Sequence, residues 1–156
     1  MRNLLAPLAC ALVMASCGSS SPSTAAGANT GNTVTCSGDS QVQVYTPGMK
    51  AVGTNKVFTF VITQASPAPP ATNENTWTVQ VLDASNQPVS GATVALQPFM
   101  PTMGHGSSQT PQVAASGNSY TISNIDLFMP GLWSMTLTAT SGNQSDSGIF
   151  YFCVNG

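Results

Sequence analysis

Charge is what this chain has least of. Its 156 residues carry three basic and five acidic side chains and a single histidine. Beyond Arg2 the basic residues are Lys50 and Lys56 alone. Binding to nucleic acid needs a basic footprint that neutralises phosphates, so that partner class is excluded. The acids Asp39, Glu74, Asp83, Asp126 and Asp146 are scattered along the chain and form no paired motif. Little is left for general acid–base chemistry. Ser107 and Ser108 follow His105, but nothing in the sequence marks an orienting acid or an oxyanion hole. One histidine also falls short of what a copper oxidase needs, and no enzyme is expected.

Helical periodicity is missing too. Apolar residues recur with period two, as in Gln41-Val42-Gln43-Val44-Tyr45 and Thr76-Trp77-Thr78-Val79-Gln80-Val81. Residues 57–63, 92–96, 119–122, 133–138 and 148–152 are further β-branched or aromatic runs of strand length. Asn86-Gln87-Pro88, Ser116-Gly117-Asn118 and Ser141-Gly142-Asn143 supply turns between them. The pattern predicts an all-β fold: an immunoglobulin-like antiparallel sandwich of seven or eight strands, with Trp77, Trp133 and Met135 in its core. Pro67-Ala68-Pro69-Pro70 predicts an exposed loop over residues 64–75.

The start of the chain reads as an export signal. Arg2 precedes an apolar run from Leu4 to Ala15, too short to span a bilayer as a mature helix. The run ends Val13-Met14-Ala15-Ser16-Cys17-Gly18, which resembles a bacterial lipobox. Residues 1–16 are then a lipoprotein signal peptide, and Cys17 becomes the acylated first residue. Residues 17–32 are small and polar, a flexible tether that cannot bury enough surface to order itself. The expected location is the bacterial cell envelope, lipid-anchored in the periplasm. Gly18 after the cysteine favours the outer membrane over the inner. Residues 33–156 suffice for one domain and not for two. With Cys10 removed and Cys17 acylated, Cys36 and Cys153 remain in an oxidising compartment, where a disulfide is expected.

Chemistry concentrates in one segment, Met100-Pro101-Thr102-Met103-Gly104-His105-Gly106, echoed later by Met129-Pro130-Gly131 before Trp133. Thioether sulfur is soft and has no proton to lose, which selects Cu(I), and imidazole suits copper in either oxidation state. Pro98 is expected to end strand pairing, so that Met100, Met103 and His105 fall on a loop at one end of the sandwich. If the second loop shares that end, Met129 completes a neutral site of three thioethers and one imidazole. The competing reading of each methionine is packing, since Met fills irregular gaps in cores. On that reading the domain is a non-metal envelope interaction or structural module.

Three stretches carry a resemblance to a known family. They are Gly91-Ala92-Thr93-Val94, the Met100–Gly106 loop, and Tyr120-x-Ile122-x-Asn124-Ile125-x-Leu127-x-Met129-Pro130-Gly131-x-Trp133. Over roughly residues 75–154 the chain resembles the YtkA-like domain family, which is similar in style to FixH-like and CopC-like envelope domains. The resemblance implies an immunoglobulin-like fold and copper handling, with Met100, Met103, His105 and Met129 as metal ligands. It further implies a copper-donating or copper-accepting envelope partner. Thr102 stands where members of the family often have a second histidine, which favours Cu(I) over Cu(II).

Overall fold

The computed structural model describes Cys36 and residues 39–156. The signal segment 1–16, the acylation site Cys17 and the tether 17–32 lie outside the described residues. Among the described residues nine strands follow one another: β1 (Met49–Val52), β2 (Thr59–Ser66), β3 (Asn73–Leu82), β4 (Thr93–Met100), β5 (His105–Gly106), β6 (Gln112–Ser116), β7 (Ser119–Leu127), β8 (Gly131–Ser141) and β9 (Gln144–Val154). They form a five-stranded sheet, β1-β2-β3-β7-β6, and a four-stranded sheet, β5-β4-β8-β9. Every named pairing is antiparallel. The expected all-β, immunoglobulin-like sandwich is the observed architecture.

The strand count is higher than seven or eight because β1, β5 and β6 are short and carry no clear alternation of their own. In the other direction, Gln41–Tyr45 alternates cleanly and yet forms no named strand. It runs beside β9, where the Gln43 N–H donates to the Tyr151 carbonyl at 2.9 Å. The return bond comes from the Tyr151 N–H to the Gln43 side-chain Oε1, at 3.0 Å. A side-chain amide has taken the place of a main-chain acceptor, so the ladder does not propagate. The loop expected over 64–75 is also shorter. A bulge between Ile62 and Gln64 resets the register, and pairing runs on through Ser66 opposite Thr76.

Local chemistry explains the hairpins. In β6–β7 and β8–β9, Ser116 pairs with Ser119 and Ser141 with Gln144, leaving two-residue turns. Gly117 and Gly142 hold the first turn position at φ 57° and 58°, a conformation that glycine adopts without steric cost.

Alternation along the longer strands sends one side of each sheet inward. Trp77, Trp133, Tyr120, Phe60, Phe150 and Met135 are fully buried there, so both tryptophans and Met135 are core residues as predicted. Each such side chain contributes roughly 1.5–3 kcal/mol by leaving water. Tyr120 also ties β7 to the approach of β4, since its hydroxyl donates to the Val89 carbonyl and accepts the Ala92 N–H. Cys36 and Cys153 form the expected disulfide, their Cα atoms 5.8 Å apart across 117 residues of sequence.

One end of the sandwich is closed by Asp146, near the start of β9. Its carboxylate accepts N–H groups from Asn55, Val57, Phe58 and Ser147 at 2.8–3.1 Å. It occupies the space that a side chain at Gly53 would fill.

Candidate functional site

The other end carries the methionines and the histidine. Contrary to expectation, Pro98 does not end β4: it lies opposite Met135, and Phe99 lies opposite Ser134. The Pro98 carbonyl points towards Gly106, so its missing N–H faces the same edge. The two residues of β5 pair only with Phe99 and Met100, so no ladder bond is lost at the proline. Met100 is therefore the last residue of β4, and His105, its register partner, the first of β5. Of the three residues expected on a loop, Met103 alone sits in the turn. That turn spans residues 101–104, and the N–H groups of Met103 and Gly104 both donate to the Met100 carbonyl, at 3.1 and 2.9 Å. Gly104 takes φ 72°, which a side chain would oppose.

These four residues sit in different surroundings. Met100 is 2% exposed and belongs to the core cluster. Its methyl lies over Gly131, where a Cβ would come within 2.6 Å. Met103 is 57% exposed at the hairpin tip. Met129 is half-buried against the core. His105 is half-buried, its ring stacked on Phe128 at 5.5 Å between centroids and 25° between planes. Phe128 meets the Trp133 ring edge-on at 5.7 Å, and the Trp133 indole N–H donates to the Met129 carbonyl at 3.0 Å. The 100–106 hairpin and the 128–131 loop thus share one end of the sandwich, as the sequence reading requires.

The tautomer of a neutral His105 ring follows from its neighbour. Nδ1 lies 3.3 Å from the Gly106 carbonyl oxygen. A carbonyl only accepts, so in that bond Nδ1 carries the proton and the lone pair is left on Nε2. Among the described residues, no three His, Cys, Asp or Glu side chains group as a metal ion would need.

Two features escaped the sequence reading. Phe128 sits between His105 and Trp133, and nothing in the local pattern marks it as part of a site. Glu74 and Asp126, taken as scattered, are register partners in β3 and β7. Like charges directly opposite each other cost stability. Only strand pairing brings them together, so their separation in sequence gave no signal.

Comparison with protein families matches residues 53–138 to the YtkA-like family, more than half of the chain. The matched region starts earlier than the stretch that carries the resemblance in sequence, and it ends within β8. Neither the curated proteins nor the solved structures offer a match. The site-bearing β4–β5 hairpin and the 128–131 loop both fall inside the matched region, and the chain belongs to the YtkA-like family.

Proposed function

We propose that this protein is an envelope lipoprotein, anchored through acylated Cys17, that binds Cu(I) for delivery to a partner or for sequestration. Met103, His105 and Met129 hold the ion from the rim, and Met100 is the innermost thioether. The observation that carries this reading is the contact between the two loops, with the His105 ring against Phe128 and Met129 next in sequence. Soft donors from two separate segments converge on one end of a rigid sandwich. The donor set suits the ion: sulfur ligands favour Cu(I), and a neutral site does not demand the higher charge of Cu(II). His105 is the one nitrogen ligand, and it binds as the neutral imidazole through Nε2. Copper is cargo here, and no redox step is required of the protein.

The test is an anaerobic Cu(I) titration against a chromophoric chelator. One equivalent bound, and lost in the Met103→Ala/His105→Ala double variant, supports the assignment. No competition with the chelator sinks it. The anchor has its own test, fatty-acid labelling that disappears in Cys17→Ser.

A second reading draws on Phe99, Met103 and Phe128, large apolar side chains exposed at this same end. They suit a contact surface for an envelope protein, with no metal involved. Stoichiometric copper binding separates the two readings.

A further inference from the structure

We infer that Trp133 is the positioning residue of the Met–His end, fixing ligands from both loops through two separate contacts. The inference rests on the copper reading above and extends it to residues that do not touch the metal. Trp133 is fully buried, held in β8 opposite Phe152 of β9, and is thus a rigid platform. Its indole N–H donates to the Met129 carbonyl at 3.0 Å, which pins the backbone of the second loop beside a candidate sulfur ligand. The same ring supports Phe128 edge-on, and the face of Phe128 supports the His105 imidazole. One side chain therefore sets the position of Met129 directly and that of His105 through Phe128. Such outer contacts fix the orientation of ligands before the metal arrives. An exposed hairpin tip would otherwise have to be ordered on binding.

The molecule contains its own control. Trp77 is equally buried, but its indole N–H has no hydrogen-bond partner, and its ring packs edge-on against Phe152. Trp133→Phe and Trp77→Phe remove the same atoms from the core. Only the first removes a bond to the site.

The experiment measures Cu(I) affinity by chelator competition, together with thermal unfolding, for the unaltered protein and three variants. Trp133→Phe is expected to weaken binding about 10- to 100-fold, the range found when an outer contact of a metal ligand is lost. Trp77→Phe is expected to lower the melting temperature and leave affinity within about twofold, on the same reasoning. Phe128→Leu changes a partly exposed side chain, so it folds even where Trp133→Phe does not; it is expected to weaken binding at an unchanged melting temperature. In the unaltered protein Trp133 emission should change on Cu(I) addition, and in Trp133→Phe the remaining Trp77 emission should stay constant. The inference is overturned if Trp133→Phe or Phe128→Leu binds as the unaltered protein does. Equal weakening in both tryptophan variants, tracking their stability, overturns it as well. Absence of binding by the unaltered protein is a different result, and removes the copper reading itself.

Discussion

The two ends of this sandwich solve opposite problems. At one end Asp146 is buried and accepts four backbone N–H groups from three other positions and its own neighbour. At the other end the side chains are thioethers, an imidazole and aromatic rings, several of them exposed. The first end satisfies a buried charge completely. That rigidifies it and leaves no lone pair seeking a ligand. The second end is held by aromatic packing, by the Trp133 indole bond and by turn bonds to main-chain carbonyls, none of which occupies a thioether sulfur or His105 Nε2. On the proposed reading, stability and binding capacity are separated along the length of β9, which begins at one end and finishes at the other.

Perturbations at five places test that separation. The largest effect is expected from Asp146→Ala, which strands buried donors and should cost on the order of 4 kcal/mol in urea unfolding. Copper affinity of the protein that remains folded should not change. The acid dependence follows from the same group. Burial alone would raise the Asp146 pKa, but the backbone N–H groups of Asn55, Phe58, Val57 and Ser147 together outweigh it and hold it below 3.8. The folded state binds this proton less tightly than the unfolded chain. Its contribution is therefore complete above about pH 4 and is lost as pH falls through the lowered value. Melting temperature followed against pH should show that acid limb, and Asp146→Asn should flatten it.

Reducing the disulfide comes next. It closes a loop of 117 residues, so its removal in Cys36→Ser/Cys153→Ser should cost about 2–5 kcal/mol. Cys153 lies opposite Leu132, next to Gly131 in β8, at the Met–His end. If stability and binding divide as described, the loss appears in unfolding and not in the stoichiometry of copper bound.

Gly131→Ala is smaller and more local. Gly131 has φ 143°, and a methyl there would meet the Met100 methyl. Strain and displacement together should cost about 1–3 kcal/mol in thermal unfolding. Because Met100 has to move, copper affinity should fall as well, unlike the case of Asp146.

The smallest effect on stability belongs to Met103→Ala, on an exposed turn, where a change within about 0.5 kcal/mol is expected. Its loss of copper affinity should nevertheless be among the largest of the single methionine variants. Met135→Ala makes the contrast: a fully buried core methionine should cost about 2–5 kcal/mol and leave the site intact. Chelator competition and calorimetry on the pair would break the comparison if the two rankings coincided.

The alternation of apolar and polar residues made the sandwich legible, because a half-buried strand exposes every second side chain to water. It failed where pairing rests on something other than a core face. Strand β5 has two residues and exists because the turn at Gly104 folds it back onto β4. Gln41–Tyr45 has the pattern of a strand but lends a side chain to the ladder. Pro98 looked like a terminator, because sequence does not say which edge its missing N–H would face. At the site, clustering of Met100, Met103 and His105 was visible as spacing, and their association with the 128–131 loop was a conditional expectation.

Composition and periodicity by themselves determined an all-β sandwich with few charges, two buried tryptophans and a Met/His segment, since these follow from local burial and residue chemistry. Only the tertiary structure decided which residues meet. It set Phe128 between His105 and Trp133, laid Met100 over Gly131, paired Glu74 with Asp126 and gathered four N–H groups onto Asp146. Each of these depends on strand order and register, which long-range pairing establishes and a linear pattern does not encode.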